Sequence, residues 1–141
     1  QMNLRTRRLS ETELMEWASA PNREVWAVSV SDKLGAAGLT GILGLERDGD
    51  RCVVTDYVLS CRVMGRRVEE TLVWCATERA RELGASRLEA PYAPTAKNKP
   101  CLSFFSGLAE LTREGDVFAW TGASPFPKPR GIEVVVEGGA P

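Results

Sequence analysis

Two periodicities take turns along the chain and divide it into strands and helices. Apolar and polar residues alternate from Glu24 to Ser31, from Leu39 to Arg47 and from Cys52 to Val63. Alternation with a period of two turns one face of an extended segment towards a core, so three consecutive strands are expected there. Asp32–Gly38 reads as the first joint between them. Arg47-Asp48-Gly49-Asp50 is the second, with an Asp-Gly pair of the kind that closes hairpins. The three strands should therefore form an antiparallel meander. From Val68 the period lengthens. Apolar residues recur at Leu72, Cys75/Ala76, Ala80 and Leu83, with Glu69, Glu70, Glu78, Arg79, Arg81 and Glu82 on the other face. This is the stripe of an amphipathic helix, and Gly84 is its natural C-terminal stop.

Shorter signals complete the outline. Asn3–Leu9 reads as a strand with Arg5, Arg7 and Arg8 interleaved. Ser10-Glu11-Thr12-Glu13 is a capping box that opens a helix to about Ala18, with Leu9 and Leu14 as its staple and Pro21-Asn22 as its stop. Ser86–Tyr92 is a strand, Pro94–Pro100 a polar turn, and Pro100–Leu108 a short helix with proline near its start. Leu108–Arg113, Val117–Thr121 and Ile132–Val136 read as strands, and residues 122–131 (GASPFPKPRG) as a Pro-rich surface loop. The order β-α-β-β-β-α-β-α-β-β is an α+β plan: a mixed, mostly antiparallel sheet flanked by helices.

Composition narrows the chemistry. With 141 residues, 43% of them hydrophobic, the chain suits one domain that holds a core without metal or disulfide. Its 18 Lys plus Arg against 19 Asp plus Glu give a net charge of -1, which argues against a dedicated nucleic-acid binder. No apolar run reaches the ~18 residues of a membrane span, and no secretory leader is read. Histidine is absent, which removes Ser-His-Asp and Cys-His catalysis and every imidazole-dependent metal site. Proton transfer is left to carboxylate, Cys, Tyr, Lys, backbone or water. Cys52, Cys61, Cys75 and Cys101 form no C-x-x-C pair, so buried thiols in a reducing cytoplasm are expected, and no metal. The chain opens at Gln1 without an initiator Met and reads as a domain excised from a larger protein.

The most informative stretch is Ser60–Glu70, where a long strand ends, a turn contains Gly65, and a helix begins. Amides at a helix start have no internal partners, and the helix dipole adds partial positive charge there. With Arg62, Arg66 and Arg67 around it, this turn is suited to a phosphate or pyrophosphate. It is equally readable as a tight turn with surface arginines, in which Glu69 and Glu70 answer the dipole.

Arg62-x-x-Gly65-x-Arg67 resembles the acyl-CoA loop of the GNAT acetyltransferase superfamily, R/Q-x-x-G-x-G/A, with Arg67 in place of the small residue. Asn98 resembles the asparagine of that family's second signature. Cys101 fills its small position, and Phe105 stands where a Tyr is usual. Four blocks further resemble the C-terminal domain of FkbH-like proteins. They are Gln1–Arg8, Ser31–Gly35 with Gly38–Gly41, Leu59–Glu69 and Tyr92–Asn98, a likeness that runs to about residue 108.

This resemblance implies a GNAT fold with splayed central strands. It also implies a haloacid-dehalogenase-like partner domain in the same parent protein. FkbH-like proteins load a glyceryl unit from a phosphorylated glycerate onto an acyl carrier protein in polyketide assembly. The phosphate step belongs to the other domain, through a D-x-D-x-[TV] loop that this chain lacks. The implied ligand is acetyl-CoA, CoA or the phosphopantetheine arm of a carrier protein. Tyr57, Val58 and Leu59 would line the cleft for that arm. Val63, Gly65, Arg66, Arg67 and Val68 would offer amides to the pyrophosphate beside the Arg62 guanidinium, and Asn98 would hold the arm or the neighbouring helix. Arg67 either crowds the diphosphate or swings out to pair with it.

A GNAT reaction needs a base, a donor for the thioester oxygen and often a Tyr that protonates the leaving thiolate. Asp56, Glu46 and Glu89 are the candidate bases. Backbone N–H groups near Val58–Ser60 are the candidate oxygen donors. Phe105 cannot protonate a thiolate, which leaves Tyr57 and Tyr92, while Cys61 beside Arg62 and Arg66 is a candidate nucleophile. Because Asp56 alternates with Tyr57, one of the two faces the cleft. Two rival readings stay open. One is a non-catalytic module whose arginines, including Arg5, Arg7 and Arg8, dock an acidic carrier protein. The other is a structural domain that dimerises through strand edges.

Overall fold

A computed structural model describes residues 2–5, 9–122 and 125–137. The elements are β1 (Met2–Asn3), α1 (Glu11–Ala18), β2 (Arg23–Asp32), β3 (Gly35–Asp48), β4 (Arg51–Leu59), a 3-10 turn (Cys61–Val63), α2 (Val68–Glu82), β5 (Arg87–Pro91), α3 (Lys99–Ser106), β6 (Thr112–Glu114) and β7 (Val117–Trp120). The main sheet runs β2-β3-β4-β5-β7-β6, with β1 added to β4. Every neighbouring pair is antiparallel except β4 and β5. The expected α+β plan and its mixed, mostly antiparallel sheet are therefore present.

Local chemistry accounts for the helices. The Ser10 hydroxyl accepts from the Glu13 amide, and the Glu13 carboxylate accepts from the Ser10 amide, so α1 starts on the expected box. Helix α2 carries Leu72, Val73, Ala76 and Ala80 into the core and lies against β3, β4 and β5. Tyr57, Leu88, Phe105 and Phe118 belong to the same buried cluster.

Strand β4 breaks its own alternation. Leu45 faces Val54 but Gly44 faces Asp56, so Thr55 is an extra residue, a β-bulge. Gly44 makes room for it. A Cβ there would lie 2.5 Å from Asp56 Oδ2 and 2.6 Å from Thr55 Oγ1. Before the bulge β4 pairs with β5 in parallel, from Arg51↔Arg87 to Val53↔Glu89. After it the two strands part.

Several boundaries differ from the sequence reading. The first strand is confined to Met2–Asn3, and Thr6, Arg7 and Arg8 lie outside the described residues. The joint expected over Asp32–Gly38 shrinks to Lys33-Leu34, because cross-strand pairing continues to Asp32↔Gly35. The long strand stops at Leu59, since the Ser60 hydroxyl accepts from the Arg62 amide and starts the 3-10 turn. The strand expected over Leu108–Arg113 is Thr112–Glu114. Ile132–Val136 joins no sheet, and Val135 and Val136 stay exposed. Alternation reports which faces differ, whereas a strand also needs an open edge. The Pro-rich loop lies on the surface yet is anchored, with Phe126 buried and the Lys128 ammonium 5.2 Å from the Trp74 ring centre.

Candidate functional site

The turn that follows β4 contains the expected glycine and arginines ahead of α2, and the chain's own groups occupy several of its amides. Gly65 has φ of +81°, and a Cβ there would meet nothing within 4 Å. Its amide donates to both carboxylate oxygens of Glu69, at 3.2 Å each. The Val63 and Met64 amides donate back to Ser60 and Cys61 carbonyls. Arg62 reaches Ser60 Oγ and the Leu39 carbonyl, and Arg66 pairs with Asp32 at 3.3 Å. Arg67 forms no ion pair or side-chain hydrogen bond among the described residues. It caps α2 in a left-handed conformation, φ 64° and ψ 13°, where the resembled loop has a small residue. Of the residues expected to offer amides to a pyrophosphate, Val63 and Gly65 have theirs engaged within the chain, which corrects that expectation; Val68 is a buried hydrophobic, and Arg66 and Arg67 face solvent, as does the Arg62 side chain beside them.

The expected cleft beyond the Thr55 bulge is filled from within. Tyr57, Val58 and Leu59 present their edge to the gap between β4 and β5, and residues 2–4 occupy it. Met2 pairs with Leu59 and Asn3 with Val58. The Leu4 amide donates to the Tyr57 carbonyl at 3.0 Å, and the Leu4 carbonyl accepts from the Ala93 amide at 2.9 Å. Met2 and Leu4 are 1% and 0% exposed. Asn98 locks this inserted segment. Its Nδ2 donates to the carbonyls of Asn3 (3.0 Å) and Ala93 (2.8 Å), and its Oδ1 accepts from the Thr95 amide (2.7 Å) and the Tyr92 hydroxyl (2.9 Å). Both donors and both lone pairs of a buried amide are thus satisfied.

The catalytic candidates are not gathered around one point. Asp56 is 7% exposed and accepts from the Thr55 hydroxyl at 3.2 Å. Asp56 and Tyr57 are both buried, so the expectation that one of them faces an open cleft is corrected. The Tyr57 hydroxyl donates to the Glu69 carbonyl at 2.7 Å, its ring meets Phe105 edge-on, and burial pushes its phenol well above the ordinary value. Tyr57 therefore ties β4 to the start of α2 as a neutral core donor. Tyr92 is spent on Asn98. Glu46 pairs with Arg23, and Glu89 pairs with both Arg51 and Arg87. Cys61 is exposed in the 3-10 turn. Phe105 packs in the core, edge-on to Tyr57 and tilted against Phe118.

Two elements of the site escaped sequence reasoning, the gap-filling residues 2–4 and the Thr55 bulge with Gly44 opposite, whereas Glu69 answers the helix start as the alternative reading of the turn expected. The bulge has a readable signal. Core positions run Cys52, Val54, then Tyr57, Leu59, so the spacing jumps from two to three.

No family model matches the chain, and no curated protein matches it. Solved structures do. A GNAT-family protein from Desulfovibrio desulfuricans superposes with a TM-score of 0.61 at 12% identity, over 80% of this chain and 78% of its own. The GNAT domain of S. lividans PAT gives 0.55 at 22% identity, over 79% and 68%. A GNAT family acetyltransferase from Elizabethkingia anophelis, solved with acetyl-CoA bound, gives 0.52 at 10% identity, over 79% and 83%. The chain accordingly has a GNAT acetyltransferase fold.

Proposed function

We propose that this chain is an acyltransferase-like domain that binds the phosphopantetheine arm of CoA or of an acyl carrier protein. The observation that carries the reading is the bulge at Thr55. Past it, β4 leaves β5 and runs into a turn where Gly65, Arg66 and Arg67 precede α2. A strand edge can pair with the amides of an extended arm, while the turn supplies cations and helix-start amides to its phosphate. The likeness to FkbH-like proteins extends this to a cytoplasmic role in loading glyceryl or acyl units during polyketide or related biosynthesis. The partners are then an acyl carrier protein and a haloacid-dehalogenase-like domain of the parent protein.

A second reading, a non-catalytic module that docks a carrier protein, is favoured by specific contacts. Glu69 holds the Gly65 amide, residues 2–4 fill the gap, and Phe105, Tyr57 and Tyr92 are packed or bonded away from any leaving thiolate.

Thermal melts separate the two. A ligand at one hundred times its dissociation constant adds ~2.7 kcal/mol of stability. Acetyl-CoA and CoA should each raise the melting temperature, and Arg66→Glu should abolish that rise with little effect on the ligand-free melt. An equal shift with a carrier protein bearing the phosphopantetheine arm and with one lacking it, and none with CoA, would favour docking. No shift with any of them would remove both readings.

A further inference from the structure

We infer that residues 2–4 of this chain are a tethered stand-in for the pantetheine arm, so that the chain gates its own ligand site. The inference rests on the reading of the β4–β5 gap as the arm's site. A pantetheine arm carries two amides along an extended backbone, so an unpaired strand edge reads it as it would read a short strand. The edge it needs is the gap side of Tyr57, Val58 and Leu59. That side is held by Met2 opposite Leu59, by Asn3 opposite Val58, and by the Leu4 amide on the Tyr57 carbonyl. The far wall is held as well, because Ala93 donates its amide to Leu4. Asn98, the side chain that the family likeness assigns to the arm, spends one Nδ2 hydrogen on the Asn3 carbonyl.

One extended segment thus satisfies the strand edge, the opposite wall and the asparagine, which are three separate groups suited to an arm. The arm and residues 2–4 cannot use them together. With Met2 and Leu4 almost fully buried, the resting state is the closed one. Ligand entry then requires the segment to peel from β4, and the apparent affinity falls by the fraction of molecules in which it has done so.

A reversible latch tests this on the whole chain. Asn3 and Val58 are directly opposed across β1 and β4, a placement that suits a cross-strand disulfide. Asn3→Cys with Val58→Cys, in a Cys61→Ser background, closes the gate on oxidation and reopens it on reduction. Acetyl-CoA is the probe, because it has no free thiol to reduce the latch. Calorimetry should show at least tenfold weaker binding in the oxidised form than in the reduced form, and Met2→Gly should bind at least tenfold more tightly than the parent. Hydrogen exchange at the Leu4 amide should quicken when acetyl-CoA saturates the parent chain.

Equal binding by oxidised and reduced forms, with Leu4 exchange unchanged, overturns the gate and leaves the ligand reading standing. Absence of acetyl-CoA binding in every form, Met2→Gly included, overturns the ligand reading and the gate with it. A pair of cysteines that fails to cross-link in the folded chain also overturns the gate, since β1 would not then lie where the inference needs it.

Discussion

Replacing Arg67 by glycine should stabilise the fold. Among the described residues Arg67 is the one non-glycine with a positive φ, 64°. In that conformation a Cβ crowds the following carbonyl oxygen, at a cost of roughly 1–2 kcal/mol. The side chain returns no hydrogen bond for that strain, since it caps no amide of α2. Glycine removes the clash but adds freedom to the unfolded chain, which opposes the gain by about 0.5–1 kcal/mol. The net gain expected for Arg67→Gly is about 0–1.5 kcal/mol, or a rise of up to roughly 6 °C in melting temperature for a domain of this size.

Arg67→Ala is the control. It keeps the Cβ and therefore the strain, while it removes a cation from the positive end of the helix dipole. The difference between the two variants isolates the backbone effect from the charge. Urea titration should show a higher midpoint for glycine than for alanine with an unchanged slope. If Arg67→Gly unfolds at or below the midpoint of Arg67→Ala, the left-handed cap carries no strain.

Two further outcomes follow from buried groups. Asn98→Ala leaves the Asn3 and Ala93 carbonyls, the Thr95 amide and the Tyr92 hydroxyl without their partner, so a loss of about 3–5 kcal/mol is expected in urea titration. A loss below about 1 kcal/mol would mean that water replaces those bonds easily. Thiol labelling should separate the cysteines. Burial pushes Cys52 up to about 11 and Cys101 up to about 12, so their thiolates are scarce at neutral pH, whereas Cys61 is exposed. A disulfide reagent at about pH 8 should modify Cys61 rapidly, Cys75 more slowly, and Cys52 and Cys101 only on unfolding, with rates rising as pH rises. Rapid labelling of Cys52 or Cys101 in the native chain would contradict the packing around β4 and α3.

The capping box of α1 and the span of α2 were legible because each rests on contacts only a few residues apart, and the strand meander because alternation and an Asp-Gly joint mark it locally even though its cross-strand pairs are distant in the chain. Ser10 finds Glu13, and the stripe from Val68 to Ala80 is a local geometric fact. The turn at Gly65 was legible for the same reason. The catalytic candidates were not. Tyr57 and Asp56 are neighbours in the chain, and only packing of α2 and the bulge opposite Gly44 decides that both end up buried. Glu46 and Glu89 were readable as candidate bases because the partners that occupy them, Arg23, Arg51 and Arg87, are brought beside them only by strand pairing.

On its own, the order of residues determined most kinds of element, the limits of α1 and α2 and the cationic turn, since periodicity and capping act over one or two helical turns. Which main chain lies in the gap between β4 and β5 was decided only by the tertiary structure. A two-residue strand carries no periodic signal. Its place follows from the unpaired polar edge left at Tyr57–Leu59, which needs a hydrogen-bonding partner once it is buried, and here the partner came from more than fifty residues away in the same chain.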